Sequence, residues 1–463
     1  MEGRGPQLQR DLNGKKPLSP NGMRFSTKLK TLAERARRIR HEPLRTMVHY
    51  IDHEWLKESW KRIRKGAAFG IDEVSAREYE KDLDSNLNRL LEDLKSGRYR
   101  AQPVKRVYIP KADGSQRPLG IPTIEDKVAQ RAVGLMVSAI FEQEFLPMSY
   151  GFRQGKNAHQ AVEAVKAAIA TRKVSWVVDA DIKSFFDEMD HRWLMKFVGH
   201  RIGNKPILRL IGKWLKAGVM EEGNLSKVST GAPQGGVISP ALANIYLHYV
   251  IDLWYEKVVK KHMKGETHGF RYADDILFCF QYRQDAIRFM QALRGRLSKF
   301  GLRLNEEKSQ LLRFGRYAER DRKIRGENRA TFQFLGFTFY NKLSRNGKYT
   351  VGLRTASKRL SRSMNAVTSW CKENRHQPLE WQRRYLNSVL TGHYLYYGVT
   401  GNFRSVAAFY RHAIWAWHRY LSRRSQRAYI RWEKFRQILK DHPLVKPRIV
   451  HSVYGSQTTL LLQ

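Results

Sequence analysis

The sequence has few cysteines, few acidic residues and no long apolar run, and each shortage excludes a class of protein. Its 463 residues include two cysteines, Cys279 and Cys371, which excludes a disulfide scaffold and a zinc site built from cysteines alone. No apolar run reaches the roughly 18 residues of a membrane-spanning helix. The polar N-terminus lacks the apolar core of a secretory signal. We therefore expect a protein of the reducing cytoplasm, without a membrane partner.

The shortage of acidic residues leaves a large positive charge. Against 43 Asp and Glu stand 85 Lys and Arg, a formal net charge of +42. The chain cannot neutralise this excess by itself, so a polyanion is the expected partner. Nucleic acid is the main candidate, because phosphate neutralisation dominates its binding, and a membrane surface is the weaker alternative. Hydrophobic residues make up 42%, enough for a sizeable core.

The order of the apolar segments indicates a mixed fold. A polar tail to about residue 25 precedes helical, basic segments at Ser26–Arg40 and from Leu44 to about Lys65. Strands and helices then interleave without a regular βα alternation, which favours an α+β fold over a doubly wound sheet. The expected strands and longer helices are a hairpin of Val104–Pro110 and Arg117–Pro122 around Asp113-Gly114, a buried strand Val174–Ile182, helical segments Asp190–Ala217 and Ser239–Lys261, two strands within Phe270–Phe280, and a strand Phe332–Tyr340.

Two adjacent carboxylates, Asp274 and Asp275, lie between apolar segments. Such a pair repels itself unless a cation is present, and an oxygen-rich site of this kind suits Mg²⁺. An ordinary Asx turn joining two strands is the alternative, and this dipeptide alone favours the turn.

A second acidic segment follows the buried strand. Asp179 and Asp181 point to the same strand face. Together with the acidic hairpin they could form a two-metal phosphoryl-transfer site. The alternative is a capping role, which we expect for Asp187 or Asp190 in any case. A third feature, the Gly231–Gly236 loop with Gln234, indicates close approach of backbone to a ligand, but by itself it is weak.

Taken in order, these features and the hairpin before them resemble the reverse transcriptases, and in particular the group II intron reverse transcriptase–maturases. The resemblance covers roughly residues 60–440. The matching stretches are RVYIPKADGSQRPLGIPT, SYGFRQGKNAHQAV, VVDADIKSFFDEMDH, GAPQGGVISPALANIYL, RYADD, LRLNEEKS and FLGFTF.

The resemblance implies a right-hand polymerase with fingers and an antiparallel palm sheet, followed by an α-helical thumb, called the maturase or X domain. The expected units are a basic, partly disordered extension at 1–43, a helical segment of the fingers at 44–100, fingers and palm at 101–340, the thumb at 341–440, and a tail at 441–463. FLGF would be a primer-gripping hairpin, although a core strand is equally compatible with it.

The resemblance also implies the catalytic residues. Asp181, Asp274 and Asp275 would be the catalytic acids that bind two Mg²⁺ ions, with the backbone carbonyl of Ile182 as a further ligand. One ion would activate the primer 3′-hydroxyl, and the other would hold the triphosphate. Asp179 and Asp187 stay outside this set.

The remaining nucleotide-binding residues follow from the same resemblance. Lys111 and Arg117 would contact the triphosphate. Phe186 would stack under the sugar and exclude a 2′-hydroxyl, whereas without the family match a plain core role is favoured. Gln234 would line the nucleotide and template site. Lys308 would lie near the incoming nucleotide, with a surface salt bridge to a neighbouring Glu as the alternative.

The C-terminal region is basic and aromatic. Residues 341–450 contain 23 Lys and Arg against 4 Asp and Glu, and most of the interleaved aromatic residues are expected to pack between helices. The resemblance implies that this region grips structured intron RNA through shape and phosphate contacts. The densest basic stretch supplies the candidate RNA-binding residues Arg419, Arg423, Arg424 and Arg427.

The chain departs from the family pattern in two places. The paired cysteine motifs of the C-terminal nuclease found in many relatives are absent, so we expect no second-strand DNA cleavage. The turn Ala68–Glu73 lacks the glycine that usually follows its aspartate, which weakens the match at the template lid.

Three functions compete. The first is an RNA-directed DNA polymerase that binds an RNA template, a DNA primer, dNTPs and a structured intron RNA, and assists splicing and retrohoming. The second is a domesticated polymerase of phage defence or repair without an intron, and the third is a catalytically idle splicing factor. The intact Asp181, Asp274 and Asp275 argue against the idle splicing factor.

The DNA flanking the gene separates the two polymerase functions, since a foldable intron there favours the intron-assisting polymerase. Retron-type polymerases share the palm motifs, but the long basic helical region disfavours them.

The charge count generates a prediction about RNA binding. Because phosphate contacts release counterions, affinity for RNA should fall steeply as salt is raised. Filter binding across a salt series measures this dependence. A flat response would contradict the phosphate-contact argument.

Overall fold

The computed structural model describes residues 20–40, 42–110, 114, 116–221, 224–226, 231, 235–318, 330–344, 346–425 and 429–451. Helices and sheets are mixed along this part of the chain, which confirms the α+β class. No helix within these ranges is both long and apolar enough to cross a membrane.

The elements follow one another irregularly. Two π-helical segments, His248–Asp252 and Tyr255–Val259, lie between the helices that end at Leu247 and begin at Lys260. A short 3-10 helix covers Val48–Tyr50. The helices are α1 (Pro20–Arg38), α2 (His53–Lys61), α3 (Ala76–Lys81), α4 (Leu83–Ser96), α5 (Ile124–Phe141), α6 (Ala158–Thr171), α7 (Phe185–Glu188), α8 (His191–Gly199), α9 (Lys205–Lys216), α10 (Ser239–Leu247), α11 (Lys260–His262), α12 (Arg283–Lys299), α13 (Ser357–Glu373), α14 (Leu379–Tyr397), α15 (Phe403–Leu421) and α16 (Trp432–Asp441). The strands are β1 (Val104–Pro110), β2 (Gln116–Ile121), β3 (Trp176–Ala180), β4 (Ile182–Lys183), β5 (Val219–Glu221), β6 (Asn224–Ser226), β7 (Thr267–Tyr272), β8 (Asp275–Phe280), β9 (Arg303–Leu304), β10 (Gln310–Arg313), β11 (Thr331–Phe334), β12 (Phe337–Leu343) and β13 (Tyr349–Thr355).

Local side-chain contacts explain where several helices begin. The Asp52 side chain accepts a hydrogen bond from the Trp55 backbone amide at 2.9 Å, which caps α2. The helical segments predicted over 190–217 are confirmed as two helices, because the chain leaves α8 at His200. It starts α9 only after Asn204, whose side chain accepts from the Ile207 amide at 3.2 Å. The first helix begins at Pro20, earlier than the expected Ser26.

The predicted hairpin is confirmed by the pairing of β1 with β2, in which Ile109 lies opposite Arg117. Between the two strands, Gly114 has a φ of +82°, a conformation that glycine adopts at little cost. β5 continues this sheet in parallel on the other side of β1, and β6 completes the order β2-β1-β5-β6.

A second sheet lies at the centre of the molecule, in the order β10-β3-β8-β7, with all neighbours antiparallel. Its middle strands β3 and β8 are rich in apolar residues because both faces are covered. Val178 and Phe278 pack into the core formed with α5 and α10, whereas Val177 and Leu277 face the core formed with α6. The central sheet is therefore buried on both sides, and its strand ends remain the places where polar groups can be presented.

The predicted strand over 332–340 is wrong as a single strand, because it folds back at Leu335 and Gly336, which have φ of +50° and +78°. The resulting hairpin of β11 and β12 joins β13 in a three-stranded sheet. The helices α13–α16 follow, and their buried residues, such as Leu390 and Trp417, form a separate hydrophobic cluster. Asn402 links the two parts, since its side chain accepts from the Thr355 amide at 2.8 Å.

Candidate active site

Two of the predicted acids lie at the same end of neighbouring central strands. β3 and β8 are antiparallel, and their last pair in this direction is Ala180 opposite Ile276. Asp181 follows Ala180 in the sequence and Asp275 precedes Ile276, so the two acids occupy the next cross-strand position. The fold thus brings together residues that lie far apart in the chain.

The third acid occupies the tight turn between β7 and β8. Tyr272 pairs with Asp275, which leaves Ala273 and Asp274 as a two-residue hairpin turn. Ala273 has a φ of +56°, as the first residue of a type II′ hairpin turn requires, and this costs an alanine more than a glycine. The strained turn directs Asp274 and Asp275 toward the same end of the sheet as Asp181.

Asp181 is held by a segment much later in the sequence. Its amide donates to the Ser309 hydroxyl at 3.1 Å, and its carbonyl accepts from the Asn305 amide at 2.8 Å. The Asn305 side-chain amide also donates to the Asp181 carboxylate at 3.0 Å. Both partners belong to the LRLNEEKS motif, so this motif positions Asp181 where β3 ends.

Burial and the charge of neighbouring carboxylates raise the pKa of Asp179, Asp274 and Asp275. Burial first, and then neighbouring carboxylates led by Asp274, raise the pKa of Asp275 to about 7. Burial also raises the pKa of Asp274, and the charge of Asp181 adds to that rise. Asp179 belongs to the same electrostatic cluster, since burial and the Asp181 charge raise its pKa to about 6. These acids are close enough for each to disfavour the charge of another.

Two arginines from other elements counter this negative charge. Arg117 of the β1–β2 hairpin lowers the pKa of Asp274, in opposition to burial. Arg359, near the start of α13, acts in the same direction on Asp275. The first hairpin and the first C-terminal helix therefore both face the acids across the end of the central sheet.

The acids fit a magnesium site by their chemistry. Among the described side chains, no three His, Cys, Asp or Glu converge closely enough to hold a metal ion. The ligand atoms that Asp181, Asp274 and Asp275 offer are nevertheless carboxylate oxygens, which Mg²⁺ prefers. Burial and then the neighbouring carboxylates raise the pKa of Asp275, and a bound cation relieves repulsion between carboxylates.

Three further predicted nucleotide-binding residues, Ile182, Phe186 and Lys308, lie beside the acids in the sequence or in the fold. Ile182 is buried and pairs with Leu304 through the short β4–β9 ladder. Phe186 is half-buried at the start of α7, 5.2 Å from the Phe185 ring. Lys308 is exposed between the two residues that hold Asp181.

The alternative for Lys308, a salt bridge with a neighbouring Glu, does not apply to Glu306. That carboxylate binds Arg294 in a two-pronged contact at 2.7 and 2.8 Å. Three predicted residues, Lys111, Gln234 and Arg427, lie outside the described residues.

The C-terminal candidates differ in what they contact. Arg424 donates to the carbonyls of Arg375 and Gln377 at 2.6 and 2.9 Å, so it joins the turn after α15 to the loop before α14. Arg419 lies 4.9 Å from the Trp415 ring centre, a cation–π contact. Arg423 is exposed. At least part of this basic stretch thus stabilises the helical unit itself.

Several residues that shape the site were missed by sequence reasoning. Asn305 and Ser309 were present in a recognised motif, but only Lys308 was selected from it. Gly151 was part of another matching stretch, and the structure brings its backbone against the acidic turn. Arg359 carries no local sequence signal, because its proximity to Asp275 arises only when α13 folds back toward the sheet.

Several known proteins have sequences similar to this chain. The family model described as reverse transcriptase (RNA-dependent DNA polymerase) matches residues 109–339, a range that contains all three acids. Protein YkfC from Escherichia coli (strain K12) is 36% identical over 334 residues, which cover 64% of this chain and 83% of that protein.

Proteins encoded by introns are also similar. The group II intron-encoded protein LtrA of Lactococcus lactis subsp. cremoris is 37% identical over 207 residues, which cover 44% of this chain and 33% of LtrA. The putative COX1/OXI3 intron 1 protein of Saccharomyces cerevisiae is 31% identical over 182 residues, which cover 39% of this chain and 22% of that protein. The matched part of this chain thus spans a third or less of these two relatives.

The close approach of Gly151 to the turn generates a prediction. A Cβ at this position would lie 2.4 Å from the Ala273 backbone nitrogen, so Gly151→Ala must displace the turn that carries Asp274. We expect RNA-templated DNA synthesis, measured by primer extension, to fall about 100-fold, as misplacement of a reacting group by about 1 Å does.

Gly212→Ala in α9 is the matched control, since a Cβ there meets nothing within 4 Å. It should keep full activity and gain slightly in helix stability. Equal activity of the two variants would contradict the claim that backbone contact at Gly151 positions the turn.

Proposed function

The chain belongs to the group II intron reverse transcriptase–maturase family and is an RNA-directed DNA polymerase, and from this premise we propose how its residues carry out the reaction. The observation that carries the proposal is the position of the acids at one end of the central sheet. Asp181 follows β3 and Asp275 begins β8, next to the Ala180–Ile276 pair, and Asp274 lies in the turn before Asp275. Burial raises the pKa of Asp274 and Asp275, and the charge of Asp181 adds to both rises, which supports a single site.

We propose that Asp181, Asp274, Asp275 and the backbone carbonyl of Ile182 hold two Mg²⁺ ions. When bound, the ions supply activation of the primer 3′-hydroxyl and neutralise charge on the triphosphate and the leaving pyrophosphate. The chain's own contribution is to keep the acids fixed. Asn305 and the strained turn do so through hydrogen bonds and backbone geometry, so that little reorganisation is needed when the substrates arrive.

The nucleotide site extends from the acids to the first hairpin. Arg117 presents forked donors to the triphosphate, and Lys308 supplies a point charge near it. This assignment is supported by the electrostatic effect of Arg117 on Asp274 and by the exposure of Lys308. Lys111 and Gln234 complete the proposed set, as triphosphate contact and as wall of the nucleotide and template site.

The proposed architecture around this site is a right-hand polymerase fold. The β2-β1-β5-β6 sheet and the helices from residue 44 onward would form the fingers, the central sheet the palm, and residues 341–440 the thumb. The separate hydrophobic cluster between Val367 and Leu444 supports a distinct helical thumb. The effect of Arg359 on Asp275 supports a thumb that closes over the primer.

We further propose that the protein binds a structured group II intron RNA and assists its splicing and retrohoming. One relative, LtrA, is by name a group II intron-encoded protein. The basic surplus of residues 341–450, 23 Lys and Arg against 4 acids, supplies the phosphate contacts that such an RNA requires. Arg419, Arg423 and Arg427 are the proposed contacts, whereas Arg424 has two donors engaged by backbone carbonyls.

The metal assignment is tested by Asp274→Ala. We expect cDNA synthesis from a primed RNA template with dNTPs and Mg²⁺ to fall about 1000-fold or more, because metal ions contribute several kcal/mol to such transition states. Binding of the primed template should change little.

The matched control is Glu266→Ala. Glu266 lies at the opposite, open end of the same β7–β8 hairpin, where its backbone carbonyl accepts from the Gln281 amide. This variant should keep wild-type synthesis. An Asp274→Ala protein that polymerised at the wild-type rate would refute the metal assignment.

Sugar discrimination is tested by Phe186→Val. If the Phe186 ring lies under the sugar, a smaller side chain should admit ribonucleotides and lower the dNTP-to-rNTP ratio of kcat/KM about 10- to 100-fold. Phe186→Tyr keeps the ring and should keep the ratio. An unchanged ratio in Phe186→Val would return Phe186 to a core role.

A further inference from the structure

We propose that Arg271 is a positioning residue that fixes the acidic turn, acting from within the core rather than by touching the substrate. This inference rests on the proposed metal role of Asp274 and Asp275. It concerns the residue three positions before Asp274, on the strand that leads into the turn.

The Arg271 side chain is fully buried and makes a buried ion pair. Its Nε and Nη2 donate to the two Asp252 carboxylate oxygens at 2.7 and 2.6 Å, and neither side chain is exposed. Burial alone would raise the pKa of Asp252, but the adjacent Arg271 charge holds it below the usual value. Asp252 therefore stays ionised, and its two hydrogen bonds hold the planar guanidinium in one orientation.

The third guanidinium nitrogen reaches the turn itself. Nη1 donates to the carbonyl of Ala273 at 3.1 Å and to the side-chain oxygen of Asn244 at 2.9 Å. Ala273 is the residue with a φ of +56°, so the hydrogen bond acts at the strained position of the turn. A conformation of this kind persists only where its surroundings hold it.

The same network holds the other side of the turn. The Asn244 side-chain amide donates to the Gly151 carbonyl at 2.6 Å, and Gly151 is the residue whose backbone touches the turn. The backbone of Arg271 also bonds to this loop, from its amide to the Met148 carbonyl and from the Tyr150 amide to its own carbonyl, each at 2.8 Å. The guanidinium thus joins α10, the first π-helical segment, the 148–151 loop and the acidic turn.

Stabilisation of the fold does not by itself explain a buried ion pair such as that of Arg271 with Asp252. A buried ion pair seldom stabilises a fold more than well-packed apolar residues would, because desolvation offsets the attraction. Its contribution is directional: three donor nitrogens in one plane fix the relative positions of Asp252, Asn244 and Ala273. Lysine cannot reproduce this, since its ammonium is a single point on a flexible stem.

The test compares Arg271→Lys with a matched control, Arg201→Lys. Arg201 is also buried, pairs with Glu144 at 3.3 Å and donates to the Ala36 carbonyl, but it contacts α1 rather than the acidic turn. Both variants keep the charge and lose the planar fork. Their melting temperatures should therefore fall by similar amounts, whereas their effects on the site should differ.

Two measurements report on the site. Primer extension gives kcat and KM for dNTPs. Electron paramagnetic resonance gives Mn²⁺ affinity in the complex with primed template and a non-hydrolysable dNTP analogue. For Arg271→Lys we expect kcat to fall about 10- to 100-fold and Mn²⁺ affinity at least about 5-fold, with template affinity unchanged. For Arg201→Lys we expect kcat and Mn²⁺ affinity to stay near those of the wild type.

If Arg271→Lys does not fold, Asn244→Ala tests the inference instead. This variant removes the neutral side chain that binds the Arg271 guanidinium and keeps the ion pair with Asp252. It should lower kcat and Mn²⁺ affinity by a smaller factor, about 3- to 10-fold. Wild-type kcat and Mn²⁺ affinity in either folded variant would overturn the inference. Failure of the metal assignment gives a different result, namely full synthesis by Asp274→Ala whatever the Arg271 variants do.

Discussion

Repulsion among carboxylates at one end of the central sheet is the constraint on which the rest of the site depends. Asp181, Asp274 and Asp275 lie at the same end of the sheet, and burial first and the neighbouring carboxylates second raise the pKa of Asp275 to about 7. Neutral groups oppose this repulsion mechanically. The Asn305 side chain donates to the Asp181 carboxylate, and the Ser309 hydroxyl accepts from the Asp181 amide, so Asp181 stays in place before a cation reaches it.

The positive charges that face the acids come from outside the sheet. Arg117 is carried by the first hairpin and Arg359 by the first C-terminal helix. In a polymerase the triphosphate and primer must enter between such elements and the acids. Charge carried on separate elements can change partners from carboxylate to phosphate as the substrates bind, which is consistent with a site that closes around them.

The chain-wide charge of +42 does not all belong to nucleic-acid binding. Arg424 donates to backbone carbonyls, Arg271 neutralises a buried aspartate, and Arg419 lies against an aromatic ring. Arginine serves these internal roles because its fork can make several directed hydrogen bonds while remaining charged. The exposed remainder, of which Arg423 is an example, is what a polyanion can contact.

Local patterns in the sequence determined the α+β class, the first hairpin and the segments that carry the acids, because alternation, turn residues and motif spacing are local properties of the chain. The strand predicted over 332–340 was wrong as a single strand, since alternation alone did not reveal the positive φ of Leu335, whereas the hairpin that the FLGF motif implied is present. Only the tertiary structure decided that Asn305 holds Asp181, that Arg359 faces Asp275 and that Arg271 binds Asp252. Those contacts join residues far apart in the chain, and a hydrogen bond or ion pair depends on distances that no local pattern encodes.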